Sequence, residues 1–263
     1  MKNLKKLISE RITDRAKRYQ DPLFYDWSQA YRSRLVSFKD KHKGEDCFIV
    51  GNGPSLNKMD LSVLSGRHLF GMNKIHLIFE RVRLDLSYHV SVNPLVIEQS
   101  RQDFQGLGCP SFLSINNWPA DEPYDDDFYY LYTNGSPFCF RKTILDRIHE
   151  GWTVTFVAMQ LAYFMGFQRL FLIGVDHNFK VDGDPNEKQV LEGDDVNHFA
   201  PNYFGGKEWH LPDLEASETA YQLARFHYSR AGRQIFDATV DGKLTVFPKV
   251  PFADAVKECR LRA

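Results

Sequence analysis

Short apolar runs recur along the chain, and each of them ends at glycine or at a short polar residue. Runs of this length, rich in Val, Ile, Leu and Phe, are typical of strands buried on both faces of a parallel sheet. The pattern predicts an α/β fold, a Rossmann-like open and mostly parallel sheet with helices on both faces. We expect strands at 47–50, 68–72, 86–92, 111–115, 170–173 and 234–236, and helices at 95–101, 155–165 and 215–231.

The first apolar run leads directly into the loop Gly51-Asn52-Gly53-Pro54-Ser55. Glycine lets a ligand approach the backbone, and the short polar side chains follow a strand where a parallel sheet presents its carboxyl edge. The loop has neither the Gly-x-Gly-x-x-Gly spacing of dinucleotide-binding folds nor the Lys-Ser or Lys-Thr of a Walker loop. Two interpretations stay open from the loop itself, a nucleotide site of another kind or an ordinary turn.

Asparagines follow three further predicted strands, at the point where each strand ends. Asn73, Asn93 and Asn116 come after the second, third and fourth strands along the chain. Because the carboxyl ends of parallel strands meet at one edge of a sheet, we expect these side chains to share a rim with Asn52.

A carboxylate and two histidines complete the predicted site. Asp176 and His177 follow the strand at 170–173. Asp176 is either a functional carboxylate or a helix cap, and His177 is either a ligand contact or a satisfied loop histidine. The segment 180–197 is rich in Asp, Glu and Gly, has few apolar anchors and is longer than the usual connection, which predicts a mobile lid at about 178–210. His198 lies in this lid, beside aromatic residues suited to stacking on a sugar or a base.

Length and composition limit the classes of function. The 263 residues suit one nucleotide-binding domain at 44–263, preceded by a helical lead-in at 1–43. The lead-in mixes Lys and Arg with aromatic residues, so it either packs on the domain or contacts a membrane surface. The 33 basic and 34 acidic residues give a net charge of −1, which argues against nucleic-acid binding. Four cysteines without Cys-x-x-Cys spacing indicate reduced thiols, and no apolar run reaches the ~18 residues of a membrane span. We therefore expect a cytoplasmic protein without an obvious secretion signal, placed in the cytoplasm or at the inner face of the membrane.

The order of these motifs resembles that of two known families. One set of motifs resembles that of bacterial lipooligosaccharide sialyltransferases, which use a CMP-sialic acid donor. In this chain the set consists of 51–56, Asn73, Asn93-Pro94, Asn116, the turn 174–176 and His198. The motifs that resemble the domain family named for 6-hydroxymethylpterin diphosphokinase are 153–155, 174–177, 237–239 and 242–244. The resemblance covers roughly residues 45–252 and leaves the lead-in out.

The sialyltransferase resemblance implies an inverting glycosyltransferase that moves a sialic acid-like sugar from a CMP-sugar donor to a glycan acceptor in surface-glycan assembly. That family requires no metal or other cofactor. The resemblance makes His198 the general base, and we add Asp176 and His177 as catalytic candidates. The nucleotide-binding candidates are Gly51, Asn52, Gly53, Ser55, Asn73, Asn93, Asn116, Thr153 and Thr155. Where that family has paired tyrosines for the leaving phosphate, this chain has His177 and Lys180, either of which could supply positive charge.

The diphosphokinase resemblance implies a different reaction at the same loop. ATP would bind there, and Asp176, with Asp182 or Asp184, would hold Mg²⁺ while a pyrophosphoryl group passes to a hydroxymethylpterin-like alcohol. A third alternative is a nucleotide-binding protein without turnover. A small homo-oligomer is the default expectation for a soluble protein of any of these kinds.

Overall fold

Nine short strands and six α-helices make up the described part of the chain. The computed structural model describes residues 21–134, 138–180 and 183–262. The strands are β1 Asp46–Val50, β2 His68–Met72, β3 Tyr88–Ser91, β4 Ser111–Ser114, β5 Phe128–Leu131, β6 Arg169–Ile173, β7 Lys188–Val190, β8 Glu208–His210 and β9 Gln234–Asp237. The helices are α1 Pro22–Ala30, α2 Arg32–Val36, α3 Pro94–Gln105, α4 Val154–Met165, α5 Leu214–Arg230 and α6 Phe252–Glu258. Three 3-10 helices span Pro54–Lys58, Leu61–Leu64 and Ile75–Glu80.

Seven of the strands form one sheet in the order β5-β4-β3-β2-β1-β6-β9. Every pairing in this sheet is parallel, with β1 and β6 side by side from Asp46 opposite Arg169 to Val50 opposite Ile173. The predicted α/β fold with an open parallel sheet is therefore confirmed. The chain leaves β1 toward β2 on one side and leaves β6 toward β9 on the other, so a crevice opens beyond their carboxyl ends.

The central strands and α4 supply most of the core. All five residues of β1 are buried, and so are all but two of the twelve residues of α4. Helix α4 packs against β2, β3 and α5, which explains why its sequence is apolar all round rather than on one face. It ends at Gly166, whose left-handed φ of 93° is the usual C-terminal cap and agrees with the predicted end of the helix.

Residues 21–43 pack on the sheet edge that ends in β5. Trp27, Leu35 and Phe38 are buried in the same core as the strands, and the Trp27 indole N–H donates to the carbonyl of Tyr130 at 2.8 Å. The described portion of the predicted lead-in thus shares the core of the main domain, and its buried aromatic residues are covered by protein. Residues 1–20 of the lead-in lie outside the described residues.

The amino end of β1 is clamped by a buried carboxylate. Asp46 has a fully buried side chain that accepts hydrogen bonds from Arg169 at 2.8 and 3.1 Å and from Arg260 at 2.9 and 3.1 Å. Burial opposes ionisation of Asp46, but these hydrogen bonds outweigh it, and its pKa lies below the ordinary value. The clamp joins the central strand to β6 and to the segment after α6.

The cysteines are free thiols, as the sequence predicts. Cys47 and Cys259 are buried, and Cys109 and Cys139 are half-buried. Burial raises the pKa of Cys109 and of Cys259 to about 12, so these thiols are protonated at neutral pH. Over the described residues, no helix combines the length and the apolar character that a bilayer crossing demands.

Candidate functional site

A cleft opens at the carboxyl ends of β1 and β6. We call the space bounded by the turns after these strands, the first turn of α4 and residues 197–212 the central cleft. Ten of the twelve residues predicted from the sequence line it: Gly51, Asn52, Gly53, Asn73, Asn93, Thr153, Thr155, Asp176, His177 and His198. Ser55 and Asn116 do not. The cleft therefore lies at the switch point of the sheet, where open α/β folds bind their ligands.

The turn after β1 is bonded to the turn after β6. The Gly51 N–H donates to the carbonyl of Ile173 at 2.7 Å, and the Gly53 N–H donates to the carbonyl of Gly174 at 2.9 Å. A Cβ atom on Gly51 would lie 2.2 Å from the Gly174 oxygen, and one on Gly53 would lie 1.8 Å from a carboxylate oxygen of Asp176. The two glycines are thus required by the contact between turns, and these two amides are already bonded within the protein.

Ser55 lies behind the cleft and holds Asp176. Its backbone N–H donates to one carboxylate oxygen at 3.1 Å, and its hydroxyl donates to the other at 2.6 Å. Burial raises the pKa of Asp176, although these two hydrogen bonds oppose the rise. Ser55 is therefore a positioning residue for Asp176 in this structure.

The central cleft offers few ligands for the predicted magnesium site. Among the described residues that line the central cleft, Asp176 is the only carboxylate, and both of its oxygens accept hydrogen bonds from Ser55. Asp184 is exposed and outside the lining, and Asp182 lies outside the described residues. Proteins usually hold Mg²⁺ through one or two carboxylates and substrate phosphates. Here the ion would compete with Ser55 for the oxygens of Asp176.

Asn52 presents an unused hydrogen-bond acceptor. Its side-chain amide donates to the carbonyl of Met72 at 3.1 Å, which leaves Oδ1 on the other side of the amide group. This Oδ1 is buried and has no hydrogen-bond partner. Buried polar atoms without partners are rare in folded proteins, so an unpaired acceptor in a cleft indicates a ligand donor.

Asn73 and Asn93 line the cleft but are mostly engaged by the protein. The Asn73 side chain accepts from the Ser91 hydroxyl at 3.1 Å. The Asn93 side chain caps α3 by accepting from the backbone of Leu95 at 3.0 Å, and its amide lies 3.2 Å from His210 Nδ1. Both asparagines therefore fix strand ends, and their remaining polar atoms face the cleft.

Left-handed backbone conformations are concentrated at the cleft. Six described residues other than glycine have positive φ, and four of these line the cleft: Asn73, Trp152, His177 and Asn186. Such conformations cost free energy for a bulky residue such as Trp152, at φ 58°, and they cluster at functional sites. Trp152 is also largely exposed for a tryptophan, which makes it a stacking surface that the sequence analysis missed.

The first turn of α4 faces the cleft. Thr153 is the N-cap of this helix and accepts from the Thr155 N–H at 3.3 Å. Its hydroxyl also lies 3.2 Å from the hydroxyl of Tyr221. The N-terminus of a twelve-residue helix carries partial positive charge and unpaired N–H groups, and both favour a phosphate or a carboxylate.

His198 forms a pair with a buried carboxylate. Its Nδ1 lies 2.8 Å from Oδ2 of Asp195, whose side chain is 1% exposed. The imidazole stacks on Tyr203, with 4.1 Å between ring centroids and 5° between the planes. When Nδ1 donates to Asp195, Nε2 carries the lone pair, and no group in the described part of the chain bonds to Nε2. This is the geometry of an oriented base, and Asp195 is a partner that the sequence analysis did not single out.

The segment that carries His198 is attached to the loop after β1. The Phe199 N–H donates to the carbonyl of Asn52 at 2.9 Å, and the Asn57 side chain donates to the carbonyl of Phe199 at 2.9 Å. The side chain of Asn197 accepts from the Lys180 N–H at 2.7 Å. His198 is thereby held at a defined position opposite Asn52. The predicted lid at 178–210 contains the antiparallel pair β7–β8, and its mobility stays a prediction.

A buried lysine supports the ring on which His198 stacks. Lys74 is 2% exposed, and its ammonium donates to the side chain of Gln99 at 2.6 Å and to the carbonyl of Tyr203 at 2.9 Å. The ammonium also lies 4.4 Å from the ring centroid of Phe204. Burial lowers the pKa of Lys74 to about 8, so it remains charged at pH 7. Lys74 was absent from the predicted site because a lysine after an asparagine gives no sign of burial.

His177 contacts a carboxylate at the other side of the cleft. Its Nε2 lies 2.9 Å from a carboxylate oxygen of Glu218 in α5, and its side chain is largely buried. Its φ of 52° turns the chain sharply after β6. The arrangement places an oriented imidazole next to Asp176 in the sequence and within the lining of the cleft.

A second pocket adjoins the central cleft on the β4 side. It shares Asn93, Trp152, Thr153, Val154, Asn186 and His210 with the cleft. Asn116 lies here, where its side chain accepts from the N–H groups of Thr133 at 2.7 Å and Asn134 at 3.2 Å. The expectation that four asparagines share one rim is therefore met by three, because β4 is three strands away from β1.

Glu150 is the carboxylate of this second pocket. It accepts from the side-chain amide of Asn117 at 2.9 Å. Burial raises the pKa of Glu150 to about 7, so it can hold or release a proton near neutral pH. The sequence analysis missed Glu150, which belongs to no predicted strand end.

Comparisons with known proteins find no match to this chain. No protein-family model, no curated protein and no solved structure matches it. The resemblances of motif order described above therefore stay predictions, and the function is argued from the geometry of the cleft.

Proposed function

We propose that this chain is an inverting glycosyltransferase that moves an acidic, sialic acid-like sugar from a CMP-sugar to a hydroxyl group of a glycan acceptor. The observation that carries the proposal is the His198–Asp195 pair in the central cleft, with Nε2 of His198 unbonded in the described part of the chain. A base in this arrangement suits the activation of a hydroxyl nucleophile.

In the proposed reaction the acceptor oxygen attacks the anomeric carbon of the sugar. A carbon–oxygen bond forms, the bond between that carbon and the phosphate oxygen breaks, and CMP departs with the electron pair. Nε2 of His198 takes the acceptor proton, and Asp195 stabilises the imidazolium that results. A single direct displacement inverts the configuration at the anomeric carbon.

The charges of the cleft suit one phosphate better than a triphosphate. No described residue in its lining is Lys or Arg, and the groups that can donate a hydrogen bond to an anion include the imidazoles of His177 and His210 and the N-terminus of α4. A helix N-terminus and a histidine match a monophosphate leaving group such as CMP. ATP would bring several more negative charges than these groups balance. The cleft therefore favours transfer of a sugar from a CMP-sugar, with a nucleoside monophosphate as the leaving group, over pyrophosphoryl transfer from ATP.

The unpaired Oδ1 of Asn52 gives the proposal a further polar contact. It is an acceptor, and the exocyclic amine of cytosine or a sugar hydroxyl is a suitable donor. The second pocket beside the cleft is open to the acceptor, with Trp152 between the two spaces as a surface for a sugar face.

A thermal-shift screen of CMP, CDP, UDP, GDP and ATP, each with EDTA and with Mg²⁺, tests the donor. We expect CMP to raise the melting temperature in EDTA, because ligands that bind the folded state stabilise it. If only ATP with Mg²⁺ raises it, pyrophosphoryl transfer replaces the proposal. Stabilisation by a nucleotide without consumption of any CMP-activated acidic sugar would indicate a binding protein.

Release of CMP from a CMP-activated acidic sugar then tests the base. We expect His198→Ala to lose turnover by about 10²-fold or more while CMP binding is retained. His227→Ala is the matched control, because His227 lies in the last turn of α5 and outside the cleft lining. Equal turnover in the two variants would remove His198 from the mechanism.

A further inference from the structure

Two histidines and a glutamate meet at the amino edge of the sheet, opposite the central cleft. His42 lies between α2 and β1, Glu45 directly precedes β1, and His68 is the first residue of β2. One carboxylate oxygen of Glu45 lies 2.6 Å from His42 Nδ1 and 2.8 Å from His68 Nε2. One ligand atom from each of the three residues lies within 4.8 Å of the others.

The two imidazole rings are held in place by packing. His42 stacks on Phe167 with 4.6 Å between centroids and 16° between planes, and His68 meets the edge of the same ring at 5.4 Å. Both histidine side chains are 10% exposed, whereas the side chain of Glu45 is 33% exposed. The rings are therefore fixed in orientation, and the carboxylate is the most exposed group of the three.

Each ring has a hydroxyl partner on its other nitrogen. His42 Nε2 lies 2.6 Å from the Tyr88 hydroxyl, and His68 Nδ1 lies 3.2 Å from the Ser87 hydroxyl. A hydroxyl either donates to an imidazole nitrogen or accepts from its N–H. With both rings donating to Glu45, the cluster is satisfied by the protein itself. With both N–H groups bonded to the hydroxyls, both lone pairs face the carboxylate, and that arrangement requires a cation between the three groups.

We propose that His42, Glu45 and His68 form a divalent metal site whose ligand chemistry fits Zn²⁺. Two imidazole nitrogens and one carboxylate oxygen are a usual zinc ligand set, with a fourth position for water. Tetrahedral ligands about 2.1 Å from zinc lie roughly 3.3 Å apart, so Glu45 has to retreat by about half an ångström. Tyr88 and Ser87 then accept the outer N–H groups and fix the tautomer, as second-shell partners do.

The charges around the cluster permit a cation. Both imidazole side chains are 10% exposed and lie against the Phe167 ring, and such surroundings favour the neutral form of histidine, which is the form that binds a metal. Arg262 also faces His68, but its guanidinium is paired with Asp85. Glu45 supplies the one negative charge of the cluster.

The position of the site gives it a structural role. The His42 N–H donates to the carbonyl of Met165 at 2.8 Å, and the Gly44 N–H donates to the carbonyl of Gly166 at 3.1 Å. These two hydrogen bonds join residues 42–44 to the end of α4. A metal bound by His42, Glu45 and His68 would join them to β2 as well. The inference is independent of the proposed function, because the cluster lies at the other edge of the sheet.

Metal-depleted full-length protein, titrated with Zn²⁺ in a calorimeter and with Co²⁺ in a visible spectrometer, tests the site. We expect one Zn²⁺ per chain, a higher melting temperature with Zn²⁺, and the visible bands of four-coordinate Co²⁺. Absence of saturable binding at one ion per chain would overturn the proposal.

Matched variants separate this site from adventitious binding by other histidines. Glu45→Gln and His68→Gln should weaken Zn²⁺ binding by about 100-fold or more, and Tyr88→Phe by about tenfold, because it removes an outer partner and leaves the ligands. His227→Gln, on α5, should bind as the unmodified protein does. If Glu45→Gln, which alters a partly exposed side chain, folds and binds Zn²⁺ unchanged, the assignment is wrong.

Discussion

At the scale of single residues, the orientation of His198 depends on a carboxylate that lies outside the lining of the central cleft. Asp195 is buried, and its other oxygen accepts from the Asn197 N–H at 2.9 Å, so the carboxylate is itself fixed. An asparagine there can present an amide N–H to the imidazole and favour the wrong tautomer.

We therefore expect Asp195→Asn to lower turnover of a CMP-activated acidic sugar by about 10²-fold or more, with little change in KM. Steady-state kinetics of CMP release measures both constants. Asp184→Asn makes the same chemical change at an exposed position of the same segment and should leave both unchanged. A rise in KM alone would indicate that Asp195 serves substrate binding and not the base.

A substitution at Gly53 tests the contact between the turn after β1 and the turn after β6. A Cβ atom at this position would lie 1.8 Å from a carboxylate oxygen of Asp176, so the turn or the carboxylate has to move. We expect Gly53→Ala to lower the free energy of unfolding by about 1–3 kcal/mol, as overpacking does. Urea unfolding measures the loss.

Gly106→Ala is the matched control for Gly53. Its φ is −78°, and an added Cβ would meet its nearest atom at 3.5 Å, which is ordinary contact. The control should therefore unfold at nearly the same urea concentration as the unmodified protein. If both alanine variants are equally stable, the two turns adapt to each other more freely than the contact distance indicates.

At the scale of elements, α4 links the fold to the cleft because its N-cap belongs to both. Replacing Thr153 by alanine removes the acceptor for the Thr155 N–H, and we expect a loss of about 1 kcal/mol in the free energy of unfolding. Thr153→Ser should retain most of the stability, since serine caps equally well. Thr219→Ala, in the interior of α5, supplies the comparison at a threonine that caps no helix. Equal loss in Thr153→Ala and Thr153→Ser would contradict a capping role.

The sequence pattern predicts the central elements well and the peripheral strands poorly. Strand β2 and helix α4 lie between clear end signals, and both are found within one residue of their predicted bounds. Strand β5 was missed because three of its four residues are aromatic and follow an acidic loop, without the aliphatic signal used elsewhere. Strands β7 and β8 have three residues each and one buried side chain between them, so no apolar period marks them.

The candidate site was predictable only where it follows strand ends. Asp176 and the asparagines come directly after apolar runs, and their convergence follows from parallel strands. Lys74 gave no such signal, because it is buried by contacts with Gln99 and Tyr203, which are distant in the sequence. Asp195 lies in an acidic segment, where no pattern distinguishes the buried carboxylate from the exposed ones. The N–H to carbonyl bond between Phe199 and Asn52 likewise joins two loops that no periodic pattern relates.

At the scale of the whole molecule, Glu150 makes stability depend on pH. Its pKa is about 7 in the folded protein and 4.5 when unperturbed, so between these values the folded state holds a proton that the unfolded chain releases. The contribution of the protonated side chain is therefore present below pH 4.5 and is lost as pH rises to 7.

Glu150→Gln removes this dependence. We expect the variant to exceed the unmodified protein in free energy of unfolding by about 1–3 kcal/mol at pH 8, with a much smaller difference at pH 5. Urea unfolding at the two pH values measures it. Glu98→Gln, at an exposed position of α3, should keep the pH dependence of the unmodified protein. An equal gain at both pH values would attribute the effect to packing and not to ionisation.

The hydrogen bonds that Asp46 accepts from Arg169 and Arg260 have a consequence for folding during synthesis. Asp46 stands in the central strand, and one of its two arginine partners follows it by 214 residues. At 5–20 residues per second, a ribosome needs roughly 10–40 s to travel between them. During that interval the nascent strand carries a carboxylate without its full set of partners, so the hydrogen bonds of the central strand are completed only by a segment that is synthesised after every strand of the sheet.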